Sequence, residues 1–247
     1  MEGDTSMEKR FVLLRELADE LTEQLGFKRH FGALVPWANI AMESELPYIF
    51  PKQVVWHFSR LVPPSRTTAI DDDFLKGMIE AIPEATRQLK HIPLDVVAFG
   101  CTSASFSFPD KMAIFTGDML ETKIPIISAF GAILKVLSYY GAKRIILFTP
   151  YEEHITQLEA QAFADRGIEV IESVSLGYSD NIGSIKSDQI MGALPSQWSG
   201  MADAIVLSCT ALHTLTAIAE LERKFGIPIV SSNTALALAS VMFCLNK

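Results

Sequence analysis

Positive charge is scarce in this chain of 247 residues: 21 lysines and arginines stand against 29 aspartates and glutamates, a formal net charge of −8. No basic stripe with interleaved aromatics occurs, so non-specific binding along a phosphate backbone is excluded. Cysteine is scarce too. Three in a chain of this length, an odd number, exclude a disulfide framework and point to a reducing cytoplasm. The opening Met-Glu-Gly-Asp lacks the basic and apolar regions of a secretory signal, which leads to the same expectation. Long apolar runs are missing: the stretches 202–219 and 227–244 are interrupted by polar residues and by Pro228, and no membrane span is expected. Neither a Gly-x-Gly-x-x-Gly turn nor a P-loop is present, and the five histidines show no metal-ligand spacing, so neither a cofactor nor a metal is expected. A serine hydrolase is disfavoured because the Gly-x-Ser-x-Gly elbow is lacking.

What the chain does contain is a repeated strand end. Leu94-Asp-Val-Val-Ala-Phe-Gly-Cys-Thr-Ser-Ala-Ser-Phe106 is an apolar run that stops at Cys101 and small hydroxyl residues. Ala202-Asp-Ala-Ile-Val-Leu-Ser-Cys-Thr-Ala-Leu212 repeats it, with the acidic residue six positions before the cysteine in both (95 to 101, 203 to 209). Each run reads as a strand buried on both faces, as a parallel sheet requires. A thiol at such a junction meets unsatisfied N–H groups and the positive end of a helix dipole, which favour thiolate, at the place where open α/β sheets bind ligands. A single cysteine is more often packed than reactive. Two Cys-Thr pairs at equivalent strand ends shift that balance towards chemistry, whereas Cys244, inside an apolar terminal helix, is expected in the core.

The flanking pattern extends the repeat. An amphipathic helix over 7–25 precedes a strand ending at Pro36, a turn, and a helix from about Asn39. Asn39 suits a helix N-cap and equally suits a position facing the cysteines. A strand over 54–62, a loop over 63–68 and one long helix over 71–89 lead into the Cys101 strand; a helix beginning at 108 and a strand over 123–128 follow. The second half runs through a helix over 129–140, a strand over 144–151, a helix over 157–166 and a strand over 168–175. It continues through a turn-rich stretch over 177–183, a helix over 184–194, the Cys209 strand, a helix over 213–224, a strand to 232 and a terminal helix from Asn233. Ile-Pro-Ile-Ile-Ser in one half matches Ile-Pro-Ile-Val-Ser in the other, and Pro36 to Cys101 spans 65 positions where Pro150 to Cys209 spans 59. The reading is an internal duplication: two similar α/β lobes of parallel, doubly wound, Rossmann-like topology, related by pseudo-two-fold symmetry, with the active site in the cleft between them. The expected boundaries are an N-terminal extension over 1–31, lobe 1 over 32–128 completed by the helix 233–247, and lobe 2 over 129–232.

Two thiols facing each other across a small cleft suit two reactions. One inverts a carbon beside a carboxylate, with a base on one face and an acid on the other; a thiol of pKa about 8.5 serves as either once its surroundings lower that value. In the other, one thiolate adds to an activated double bond, leaves a single bond free to rotate, and the second thiol handles the proton. A binding protein that kept the cleft and lost turnover would show the same pattern.

These residues carry a resemblance. The paired Cys-Thr strand ends resemble those of the aspartate/glutamate racemase superfamily. Val35-Pro-Trp-Ala-Asn-Ile-Ala-Met-Glu-Ser-Glu45 is similar to the Val-Pro-Ser-Ser-Asn-Thr-Thr-Met-Glu-x-Glu of its maleate cis-trans isomerase branch. His57-Phe-Ser-Arg60, Thr149-Pro-Tyr151 and Ser179-Asp-Asn181 match further motifs of that branch, and the coverage runs from about Gly32 to the C-terminus. The resemblance implies Cys101 as nucleophile or first acid/base and Cys209 as its partner. It implies Asn39, Tyr151 and Asn181 as binders of substrate carboxylates or polar groups, with Thr102, Ser103 and Thr210 offering further donors. It also implies a small carboxylate or dicarboxylate substrate and a homodimer or higher homo-oligomer. Trp37-Ala38 departs from the Ser-Ser of the pattern, removing two hydroxyls and adding bulk. Gly100-Cys-Thr-Ser-Ala-Ser-Phe106 is closer to the arylmalonate decarboxylase and ectoine-utilisation relatives. The decarboxylases keep only the second cysteine, with glycine at the first site, so both cysteines together imply isomerisation or racemisation. His213 after Cys209 is a candidate to tune its thiolate, and Arg60 a weaker candidate anion binder.

Overall fold

Val96–Phe99 and Ala204–Leu207, the runs before the two cysteines, are buried along their whole length, each in the middle of its own parallel sheet. The computed structural model describes residues 13–50, 52–65, 67–108, 124–194 and 200–246. The first sheet holds β1 (Arg29–Pro36), β2 (Val54–Leu61), β3 (Val96–Phe99) and β4 (Ile126–Ser128) in the order β2-β1-β3-β4. The second holds β5 (Arg144–Tyr151), β6 (Glu169–Tyr178), β7 (Ala204–Leu207) and β8 (Ile229–Ser231) in the equivalent order β6-β5-β7-β8. Every pairing is parallel. The duplication and the two-lobed α/β class expected from the sequence are therefore present.

Parallel strands need cover on both faces, and period-two alternation supplies the side chains for it. Phe31, Ala33, Val35, Val96 and Ala98 face a core shared with the helices Ala129–Tyr139 and Ser232–Leu245 and with the second sheet. Leu34, Val97 and Phe99 face a second core under the helices Asp72–Glu80 and Ile82–Gln88. The terminal helix is buried at nearly every position and packs against the helices Leu13–Leu25, Ala41–Ile49 and Ala129–Tyr139. Cys244 lies buried within it, as expected of a core cysteine.

Several boundaries differ from expectation for identifiable reasons. The single helix over 71–89 is two, meeting at Ala81, where Pro83 sits in the first turn of the second; proline lacks the N–H that a continuous helix would use. The strand β6 runs on to Tyr178, with register shifts against β5, and its exposed Glu169 and Glu172 mark it as an edge. The helix over 157–166 is Glu153–Ala164, and the helix over 184–194 is a 3₁₀ turn, Ile182–Ser184, followed by Ser187–Ala193. The helix expected to begin at 108 lies outside the described residues, as do positions 7–12 of the N-terminal helix. Among the described residues no helix is long and apolar enough to cross a membrane.

Candidate functional site

In a sheet of order β2-β1-β3-β4 the chain leaves β1 and β3 in opposite directions, which opens a crevice at their C-terminal ends. Asn39 lies three positions beyond β1 (36 to 39) and Cys101 two beyond β3 (99 to 101). The second sheet places Tyr151 at the end of β5 and Cys209 two positions beyond β7 (207 to 209). The two crevices face one another and form one cavity of about 450 Å³. Asn39, Cys101, Thr102, Ser103, Tyr151, Asn181, Cys209 and Thr210 all line it. The remaining wall includes Ile40, Ile70, Phe74 and Ile182, and among the described residues no lysine, arginine or histidine lines it.

Cys101 takes the N-cap position of the helix Thr102–Ser107. Gly100 before it is required by space: a Cβ there would lie 2.3 Å from the Met42 sulfur and 2.8 Å from the Leu34 carbonyl oxygen. Burial pushes the Cys101 thiol up, while the Ala104 N–H and the Ser103 hydroxyl pull it down. Burial likewise pushes Cys209 up, to about 12, against hydrogen bonds from the Tyr151 hydroxyl and the Ala211 N–H. Negative charge on Cys101 or Glu159 raises Cys209 further. The thiolate-favouring helix end expected at both cysteines is thus outweighed by desolvation. At Cys209 it is also absent, because the chain makes a turn and the next helix begins only at Leu215. Cys209 itself holds φ at 148°, a region that residues with a side chain seldom adopt, and strain of this kind gathers at reactive sites.

Asn39 does both things considered for it. Its Oδ1 accepts from the Ala41 and Met42 N–H groups at 2.9 and 3.2 Å, satisfying the first two donors of the helix Ala41–Ile49 from one position before the N-cap residue Ile40. Its Nδ2 donates across the cleft to Thr210 Oγ1 at 3.1 Å, and that hydroxyl donates to the Gly100 carbonyl at 2.7 Å. Thr102 Oγ1 donates to Ser232 Oγ at 3.0 Å, and the same oxygen accepts from the Cys209 N–H at 3.0 Å. Ser232 therefore ties the two cysteine turns together. Asn181 adopts a left-handed φ of 52°, which asparagine tolerates, and brings its loop to the cavity rim beside Asp180. Tyr151 is buried, and burial holds its hydroxyl well above the usual phenol range.

Three candidates fall elsewhere. The Arg60 guanidinium donates to the Asn39 carbonyl at 2.6 Å and pairs with Glu43, so it braces the turn from behind and does not line the cavity. His213 meets Ser44, with Nδ1 3.4 Å from Oγ, in the turn before the helix, away from the cavity wall. The Trp37 indole donates to the Thr67 carbonyl at 3.1 Å and packs against the core beneath the helices Asp72–Glu80 and Ile82–Gln88, so of the pair Trp37-Ala38 only Ala38 lines the cavity.

Sequence reasoning missed Glu45. Buried in the first lobe, its carboxylate accepts from the Thr214 and Leu215 N–H groups at the start of the helix Leu215–Phe225, from Thr214 Oγ1 at 3.1 Å, and from Asn233 Nδ2 at 2.7 Å. It clamps one lobe to the other. The only signal was its place in the Met-Glu-x-Glu pattern. Among the described residues, no group of three or more His, Cys, Asp or Glu is placed to hold a metal ion.

Fold and site together define a two-lobed α/β enzyme with paired strand-end thiols at a single cavity. The arylmalonate decarboxylase family model matches residues 31–244, and the chain belongs to that family. The maleate isomerase of Alcaligenes faecalis is 27% identical over 219 residues, covering 81% of this chain and 85% of that protein. Among solved structures, the maleate isomerase of Pseudomonas putida S16, a cysteine-to-alanine variant with maleate, superposes at a TM-score of 0.80 with 25% identity, covering 87% of this chain and 92% of that one. A Nocardia farcinica maleate cis-trans isomerase, a cysteine-to-serine variant carrying a covalent succinylcysteine intermediate, shares the fold at a TM-score of 0.75 and 22% identity, over 87% of this chain and 93% of that one.

Proposed function

We propose that the reaction is the cofactor-independent cis-trans isomerisation of a small unsaturated dicarboxylate, maleate first, and that Cys101 and Cys209 carry it. The observation behind this reading is that thiols from equivalent strand ends of two lobes line one cavity. Burial disfavours both thiolates, but Cys209 bears the added penalties of facing Cys101 and Glu159. Cys101 is therefore the nucleophile and Cys209 the acid. The Cys101 thiolate adds to one olefinic carbon, and the π pair moves onto the adjoining carboxylate as an enediolate. Cys209 gives its proton to the other carbon. Rotation about the new single bond follows; the Cys209 thiolate then takes a proton back, the C–S bond breaks, and the trans acid leaves with both sulfurs restored.

Among the described residues of the wall there is no lysine or arginine, so in this reading the carboxylates are held by neutral donors: the Asn39 and Asn181 amides, the Ser103 hydroxyl, and the backbone N–H groups of Thr102, Ser103 and Thr210, with Tyr151 beside them. Such donors act strongly in a site closed to water. The apolar wall of Ile40, Ile70, Phe74 and Ile182 favours a second reading, a racemase or decarboxylase of a substituted acid such as an arylmalonate. The enzyme is expected in the cytoplasm as a homodimer or higher homo-oligomer, which sedimentation of the purified chain measures. Proton NMR in D₂O with maleate, then with chiral amino and hydroxy acids and arylmalonates, tests the reaction. Fumarate formed from maleate supports isomerisation. Deuterium entering an α-position of another acid supports the second reading, and no conversion of any of them refutes both.

A further inference from the structure

Nine positions beyond each strand-end proline lies a buried glutamate, Glu45 after Pro36 and Glu159 after Pro150 (36 to 45, 150 to 159). The two are equivalent in the repeat and unequal in their surroundings. Glu45 receives four hydrogen bonds, two of them from backbone N–H groups at a helix start. Glu159, on the helix Glu153–Ala164 with no exposed surface, receives one: Ser208 Oγ donates to Oε1, and Oε2 is buried with no hydrogen-bond partner. None of the ion pairs among the described residues includes it. A carboxylate with one donor and no cation is too costly to bury, and such a group keeps its proton instead.

What it faces gives that proton a use. Ser208 is the residue before Cys209, and its N–H is anchored on the Phe148 carbonyl at 2.8 Å. Negative charge on Glu159 opposes ionisation of both Cys209 and Tyr151, which are hydrogen-bonded to each other. The helix Thr102–Ser107, β5 and β6 pack against the Glu159 helix. The first has no titratable side chain; Arg144 lies at the opposite end of β5, Glu169 and Glu172 are exposed on the edge strand, and Tyr178 ends that strand. The first lobe has no counterpart device, because Gly100 stands where Ser208 does and Met42 closes the space beside it.

We propose that Glu159 is a positioning residue for Cys209: as a neutral carboxylic acid it holds Ser208 and so the Cys209 turn, and by staying neutral it allows Cys209 to carry negative charge during turnover. The inference rests on Cys209 acting as the proton donor. Burial pushes Glu159 up to about 8, so the proton is held at neutral pH and lost just above it.

The test is the titration of Cys209 by ultraviolet thiolate absorbance in a Cys101→Ser, Cys244→Ala background, where it is the one remaining thiol of the chain's three. Glu159→Gln keeps the shape and the acceptor for Ser208 but cannot ionise, so the Cys209 midpoint falls by on the order of one pH unit. A purely structural role would alter stability and leave that midpoint in place, and an unchanged midpoint overturns the proposal. Infrared spectroscopy of the unaltered chain gives a second measurement: a carboxylic-acid carbonyl band present at neutral pH and lost with a midpoint near 8 is expected, and its absence at neutral pH overturns the proposal even if Glu159→Gln does not fold. Because neither readout uses substrate, the expected shift together with failure to convert maleate would uphold the role of Glu159 and refute the choice of substrate.

Discussion

Asn39 joins the two lobes at the cavity, and its replacement separates the bonds it makes. Asn39→Ala removes the cap on the Ala41 and Met42 N–H groups and the cross-cleft bond to Thr210. A lost cap costs about 1 kcal/mol and a lost net hydrogen bond about the same, together about 2 kcal/mol. For a chain of this size each kcal/mol moves Tm by roughly 2–4 °C, so Asn39→Ala is expected to melt about 4–8 °C lower. Asn39→Asp keeps the cap acceptor and places negative charge at a helix start, where it is favoured, but has no amide N–H to reach Thr210. It should lose about half as much stability and still lose most of its kcat/KM, because a carboxylate now faces the substrate carboxylates. A double-mutant cycle with Thr210→Val should return a coupling of about 1 kcal/mol. Differential scanning calorimetry with steady-state kinetics measures all of this. Equal Tm losses for Ala and Asp, or a coupling near zero, would refute the division into cap and cross-cleft bond.

Gly100→Ala forces a Cβ onto Met42 and the Leu34 carbonyl, and urea unfolding should show a loss of about 1–3 kcal/mol together with loss of activity as Cys101 shifts. Glu45→Ala leaves the Thr214 and Leu215 N–H groups without their acceptor, while Asn233 Nδ2 keeps the Thr210 and Leu212 carbonyls, and at about 1 kcal/mol or more for each N–H it should cost about 2 kcal/mol by the same measurement. Glu159 binds its proton more tightly folded, at about 8, than unfolded, at 4.5, so its contribution is full below 4.5 and is lost as pH rises through 8. Unfolding across that range should show wild type losing stability, by an amount on the order of a few kcal/mol, relative to Glu159→Gln, and parallel curves would contradict the assignment.

The sequence made the repeat legible because strands buried on both faces read as unbroken apolar runs, and because each run ended on the same Cys-Thr pair. The eight residues that the resemblance implied as catalytic or substrate-binding, from Asn39 to Thr210, line the same cavity, whereas Arg60 and His213 do not. What stayed hidden were partnerships between positions far apart in the chain. Nothing local to Glu45 announces that it caps a helix beginning at Leu215, nor does anything local to Ser232 show that it holds both cysteine turns. Glu159 looks like one more charge on a helix, and only the fold turns it inward beneath Ser208. His213 misled for the converse reason, since its proximity in sequence to Cys209 does not survive the turn that aims its side chain at Ser44, and Arg60, singled out as the arginine of a strand-end motif, pairs with Glu43 instead. Trp37, which adds bulk where the resembling pattern has serine, stays off the cavity wall as its indole N–H finds the Thr67 carbonyl.

The most direct test of the two-thiol assignment is mass spectrometry with peptide mapping of Cys209→Ser incubated with maleate. In a chain that still has its nucleophile, water supplies the proton for the second carbon and no thiolate is there to take it back, so one maleate-derived adduct per chain should accumulate, joined by a C–S bond to Cys101 and absent from Cys101→Ser. An adduct mapped to any other residue, or fumarate produced at the wild-type rate by a chain with both cysteines replaced, would contradict the account.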